Sequence, residues 1–196
     1  YIHIYIYIHK YIFQDKETVI MPAYHSTFLA DESSDNRLVG NFSILPIRTR
    51  FRGPSYPCNS DYDIIDESLD LFRANSFFRN FEIKGPADRT LIYGILFISN
   101  CLQSLSSSTS EHEAVKILTN LSLDNFFIPG DAGFPLNSLY QGPADRNEAQ
   151  LLRGYLQQFR QELSTRLIER LYKDDKSAPS KYWFAFTRRR FMNKSL

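Results

Sequence analysis

Between residues 61 and 81, Ile65, Leu69 and Phe72 recur three and four positions apart, and Ser76 extends the same face. That is the period of one side of an α-helix. Asp61, Asp63, Asp66 and Glu67 open the stretch, where carboxylates meet the positive end of a helix. One amphipathic helix is predicted here. The next stretch, LIYGILFISNCLQSL (91–105), is apolar nearly all round. A helix without a polar face has to be surrounded, so it is predicted as the centre of the fold. Its start is Gly85-Pro86-Ala87-Asp88-Arg89: proline at the first helical position gives up no hydrogen bond, and the Asp88 carboxylate faces unpaired N–H groups. Gly94 inside it costs about 1 kcal/mol against alanine, tolerable where another backbone must come close. Ser110, followed by Glu111 and Glu113, predicts a capped shorter helix with Val115, Leu118 and Leu121 facing inward.

GPADR recurs at 142–146, but the residues after the two copies do not match. A shared helix start accounts for the repeat better than duplication does. From about Pro143 to Tyr172, Leu152, Leu156, Phe159, Leu163, Leu167 and Leu171 form one stripe. Such a helix is about 45 Å long, so one end projects from the body or lies along a neighbour. Residues 21–60 show no helical period and carry Pro22, Pro46, Pro54 and Pro57, which predicts extended chain lying over the rest. The prediction is an all-α fold of about five main helices. An apolar central helix (about 86–105) is surrounded by the others, with an extended N-terminal segment.

The first residues stand apart. YIHIYIYIHKYIF (1–13) alternates with bulky residues on both faces, the pattern of a sticky edge strand. A TA/CA repeat in DNA would translate the same way, and the first methionine is Met21. Residues 1–20 are therefore read as upstream sequence, the other reading being a genuine extension that is disordered or self-associating. His3 and His9 come with the repeat and are not read as metal ligands. Residues 21–196 are read as a single domain.

Composition narrows the classes. Lys and Arg number 23 against 22 Asp and Glu, a net charge of +1, whereas a nucleic-acid-binding domain is usually basic as a whole. Hydrophobic residues make up 43%, enough for a core. Two cysteines, Cys58 and Cys101, argue against a disulfide scaffold. The longest apolar run, Leu91 to Ile98, is far short of the roughly 20 residues of a membrane span, and no secretory signal pattern is seen. The expectation is a soluble protein of a reducing compartment.

No constellation able to carry a reaction is found. His112 lies between two glutamates at a helix start and reads as a solvated position. His25 neighbours Ser26, but adjacent side chains point apart, so a structural role is expected. The acidic run 61–70 lacks the glycine and final glutamate of a calcium loop. No phosphate-binding glycine motif occurs, and no cofactor or metal is expected. Two features are not explained by monomer stability. One is the apolar loop with Phe126, Phe127, Ile128, Phe134 and Leu136. The other is the C-terminal segment 181–194, where Trp183 and its aromatic neighbours meet Arg188, Arg189, Arg190 and Lys194; residues 172–196 carry seven basic and two acidic side chains. Aromatics with arginine are anchors at protein interfaces and also suit single-stranded nucleic acid. Trp183 reads equally as core closure and the arginines as a solvated face. Both partner readings stay open on chemistry alone, the protein interface ahead of a small nucleic-acid-binding module.

Several strings taken together resemble one family. MPAYHS (21–26), LPIR (45–48), DYDIIDESLDLFRANSFFRNFEIKGPADRTLIYGILFIS (61–99), IPGDAGFPLN (128–137), YLQQFRQELSTRL (155–167) and KYWFAFTRRRFMNKSL (181–196) are similar, in order, to subunit 3 of the actin-related protein 2/3 complex. Tyr182 stands where the family usually has a second tryptophan, and Asp131 where a glutamate is usual. The resemblance implies an all-α, non-catalytic subunit of a seven-subunit assembly that nucleates branched actin filaments. It implies packing mainly against actin-related protein 3, near the mother filament, in the cytoplasm and cytoskeleton of cell projections and cortex. ATP would belong to the actin-related subunits, with no nucleic acid and no membrane span. Phe126, Phe127, Phe134, Trp183, Arg188, Arg189, Arg190 and Lys194 are the candidate partner interface.

Overall fold

The computed structural model describes residues 23–29 and 37–196. The tract 1–20, with His3 and His9, lies outside the described residues, as does the polar stretch 31–36. Among the described residues, a 3-10 turn (Thr27–Leu29) and a hairpin of β1 (Leu38–Val39) and β2 (Phe42–Ser43) precede five helices: α1 (Ile64–Asn75), α2 (Pro86–Gln103), α3 (Glu111–Leu123), α4 (Arg146–Leu171) and α5 (Lys181–Phe184). A second 3-10 turn follows at Phe191–Asn193.

α2 is the centre. From Ala87 to Leu102 it is buried on all sides, with Arg89 and Asn100 the two positions that reach toward solvent. α1, α4 and the β2 strand pack on it, and α3 packs on α4. Gly94 marks the tightest approach. A β-carbon there would lie 2.3 Å from Ser68 Oγ and 3.2 Å from the Phe159 ring, so α1 and α4 both close on α2 at this level. The close neighbours are side chains rather than backbone.

The helix starts follow the local signals, with one surprise. Ser110 and Glu113 form the reciprocal cap: the Ser110 hydroxyl accepts from Glu113 N, and the Glu113 carboxylate accepts from Ser110 N at 3.0 Å. Asp63 caps α1, accepting from Ile65 N and Asp66 N. The two GPADR copies start their helices in different registers. At α2, Gly85 is the cap, Pro86 is the first helical residue, and Gly85 offers no side-chain cap. At α4, Asp145 is the cap, accepting from Glu148 N at 2.9 Å, and Pro143 lies upstream of the helix. In the first copy Asp88 falls on the third helical residue, and its carboxylate turns outward to other segments.

Three expectations are corrected. Residues 37–60, the larger described part of the segment expected to be extended, are not merely draped: the hairpin pairs antiparallel as Leu38↔Ser43 and Val39↔Phe42, and Val39, Phe42, Ile44, Leu45 and Ile47 are buried in the core. Its turn residue Gly40 has φ 58°, and a β-carbon there would meet Gln141 O at 2.3 Å, so the left-handed turn also allows two loops to touch. Of the three residues expected to face inward from α3, Leu118 is buried and Leu121 half-buried, but Val115 is 44% exposed; Ala114 and Ser122 complete the buried face. α4 begins three residues later than its pattern suggested, and its first two residues, Arg146 and Asn147, are exposed. The whole stripe from Leu152 to Leu171 is buried.

Candidate partner-binding faces

The C-terminal tail crosses the end of α1. Ser180 N donates to Leu171 O at 2.9 Å, and the short α5 turns Trp183 inward. The indole is 8% exposed and stacks on Phe72 of α1, with centroids 5.8 Å apart and planes 10° from parallel. Phe186 meets Phe72 at 6.2 Å and Phe77 at 5.6 Å, both edge-on. The Arg73 guanidinium lies 5.7 Å over the Trp183 ring and that of Arg189 4.8 Å over Phe77. Arg73, Trp183, Phe72, Phe186, Phe77 and Arg189 thus form one row, four rings closed by a cation at each end. Such contacts are worth about 0.5–1 kcal/mol each at exposed sites. Beyond the row, Met192 N donates to Phe78 O at 2.9 Å, and buried Phe191 meets Phe81 at 5.7 Å. Met192 and Asn193 both hold left-handed φ, 54° and 55°, a conformation that costs non-glycine residues about 1 kcal/mol or more. Phe191 before them and the Asn100 Nδ2 bond to Leu196 O at 3.3 Å after them hold the turn.

The apolar loop is pinned at two points. Phe126 lies against the Arg160 guanidinium at 4.4 Å, and the far side of that cation covers Phe97 of α2 at 4.6 Å. Arg160 also donates to Leu121 O at 2.6 Å, a carbonyl of the last turn of α3. Arg153 donates to Phe126 O at 2.9 Å and pairs with Asp131 at 3.1 Å, and Asp131 accepts from Ile128 N. With Phe126 clamped and Ile128 buried, Phe127 between them points out and is 59% exposed. It rests on Gly133, where a β-carbon would come within 2.6 Å of the ring.

The eight candidate residues therefore divide. Phe134 is buried against Tyr140, with ring centroids 5.4 Å apart, and Trp183 is buried in the row just described. Phe126 is half-buried. Phe127, Arg188, Arg189, Arg190 and Lys194 face outward. The loop rests on α2 and α4 through Arg160 and Arg153, and the tail on α1 through Trp183 and on α2 through Asn100.

Two polar clusters went unnoticed in the sequence. Arg166 grips the Asp63 carboxylate with two bonds of 2.8 and 2.9 Å, reaches Asp66 at 3.0 Å and Glu162 at 2.7 Å, and also donates to Arg48 O. Arg48 adds a 2.9 Å bond to Asp66. Burial alone would raise the Asp66 pKa, but the bonds from Arg48 and Arg166 hold it below the usual carboxylate range. Burial likewise works against the Arg166 charge, and the bonds to Asp63 and Glu162 more than offset it, raising its pKa. The second cluster holds the N-terminal segment. Asp88 accepts from Ser26 N, His25 Nδ1 and Lys84 N at 2.8–3.0 Å, and Glu67 accepts from the hydroxyls of Ser26 and Thr27, both at 2.6 Å. His25 is a structural residue, as its neighbours suggested. The acid run 61–70 holds no base; its cationic partners come from positions 48, 166 and 170, too distant for a local pattern.

Residues 21–196 match the family described as P21-Arc, the ARP2/3 complex ARPC3 (21 kDa) subunit. The chain belongs to this ARPC3 family. Among its relatives, actin-related protein 2/3 complex subunit 3 of Saccharomyces cerevisiae is 68% identical over 179 residues, 90% of this chain and 100% of that protein. The Schizosaccharomyces pombe protein of the same name is 56% identical over 177 residues, 90% and 100% of the two chains. That of Arabidopsis thaliana is 40% identical over 171 residues, 87% and 97%. Among the described residues no helix is long and apolar enough to cross a membrane.

Proposed function

We propose that this chain is a non-catalytic structural subunit of the actin-related protein 2/3 complex, with residues 21–196 as its working unit. Membership of the ARPC3 family carries this reading, since the relatives named above are subunits of that complex. The finer role is scaffolding. The chain packs against actin-related protein 3 near the mother filament, supports nucleation of branched actin filaments, and does so in the cytoplasm at cell projections and cortex. The rigid seating of loop and tail supports it: side chains already held in place lose little freedom on docking. Phe127 and the segment carrying Arg188, Arg189, Arg190 and Lys194 supply the contacts, while Phe126, Phe134 and Trp183 hold those surfaces in position.

The test is affinity capture of the tagged full chain from its own cells, with the bound proteins identified by mass spectrometry. Recovery of the other complex subunits in equal amounts is the expected result. Capture of the chain alone, or with nucleic acid in place of those subunits, contradicts it.

A further inference from the structure

We propose that the tail face docks on a carboxylate-rich surface of a neighbouring protein subunit, an inference that rests on the subunit reading above. The face is the row of four rings with its two capping guanidiniums, together with the cations around it. Within residues 71–83 and 180–194 there are five arginines (73, 79, 188, 189 and 190) and two lysines (181 and 194), against one acid, Glu82. Asp70, the next carboxylate along α1, is already paired with Arg170 at 2.6 Å. All seven cations are exposed, and none pairs with a carboxylate of a described residue.

The excess is local. The chain as a whole is almost neutral, so seven exposed cations carried by these two short segments are not a by-product of a basic composition. Arginine predominates, and its planar fork matches a carboxylate with two parallel bonds. The Arg73 and Arg189 guanidiniums already sit over Trp183 and Phe77, at 5.7 and 4.8 Å, so less of their freedom is lost when a partner arrives. Desolvating such a face is favourable only if anions meet it.

Carboxylates fit better than nucleic acid. Binding a single strand without sequence preference requires open ring faces on which successive bases stack. Here the Trp183 ring is buried against Phe72 with Arg73 over it, and Phe77, 47% exposed, already carries the Arg189 guanidinium over its ring. Tyr182, 74% exposed, is one free ring beside the row, not a platform.

The experiment uses complex lacking this subunit, to which the full chain is added back at about 0.1 M and about 0.5 M salt. Arg188→Glu, Arg189→Glu and Arg190→Glu together are expected to weaken uptake about tenfold or more at low salt, and less at high salt. Arg188→Gln with Arg190→Gln, which leaves the stacked Arg189 in place, keeps the test usable if the triple variant misfolds; a smaller loss with the same salt dependence is expected. The unaltered chain should give zero-length carbodiimide crosslinks from Lys181 or Lys194 to acidic residues of another subunit. Uptake of both variants equal to that of the unaltered chain overturns the proposal, as does a loss that salt does not change. So does salt-sensitive binding of an oligothymidine strand that the variants abolish while uptake is unaffected. If the unaltered chain itself is not taken up, the subunit reading falls and this one with it; if it is taken up and the variants equally so, only this one falls.

Discussion

Trp183 is the single tryptophan of the chain, and its burial against Phe72 joins the tail to α1. Trp183→Ala removes the ring that Phe72 and Arg73 both cover, so a loss of about 3–5 kcal/mol of stability is expected. Equilibrium denaturation of the variant measures it, and a change under about 1 kcal/mol would contradict the packing described. The two cysteines offer a second residue-level contrast. Cys101 lies wholly inside α2, and burial pushes its thiol up to about 12, so no thiolate forms there near neutral pH. Cys58 is half-buried, with its sulfur 3.7 Å from Ser60 O. Titration with a thiol reagent should label Cys58 alone in the folded chain and both cysteines in denaturant. Rapid labelling of Cys101 under native conditions would mean that the central helix is not enclosed.

At the scale of elements, the decisive contact is the one Arg166 makes from α4 to the start of α1. Asp63 is buried completely and loses its bidentate partner in Arg166→Met, which should cost about 3–5 kcal/mol, as removal of one member of a buried pair does. Thermal unfolding of the variant at pH 7 checks this. The same cluster sets an acid limit. The folded-state pKa of Asp66 is depressed, so its stabilisation is complete above the unfolded value of about 3.9 and is lost as pH falls through the folded one. Asp66→Asn should therefore flatten the fall in stability below about pH 4, followed by urea melts across that range; an unchanged acid profile would contradict the assignment. Elements also show what a sequence can and cannot reveal. The Ser110–Glu113 cap, the proline start of α2 and the α4 stripe rest on neighbours within four residues, and all were legible. The partners of Asp63 and Asp66 lie up to about a hundred positions away and leave no local trace. Nor does the pentapeptide GPADR carry its register: Asp145 caps α4, whereas Asp88 is drawn to Ser26 and Lys84.

As a whole, the molecule puts its strongest hydrophobicity in α2 and its most exposed anchors in two segments that α-helical periodicity does not describe. Charge and aromatic content pointed to both segments, but not to the division of labour within them. Whether Trp183 or Phe134 turns inward depends on Phe72 and Tyr140, which belong to other elements. Phe127 faces out because Arg153 and Arg160 fix its neighbour. These faces matter only if the chain works by assembly. Direct imaging of branch formation on actin filaments, with complex lacking this subunit before and after addition of the full chain, tests that claim most directly. Restored branching that requires stoichiometric chain, saturating at one copy per complex, is the predicted result. Branching that is unaffected by the chain, or that a trace of it restores catalytically, would contradict the account.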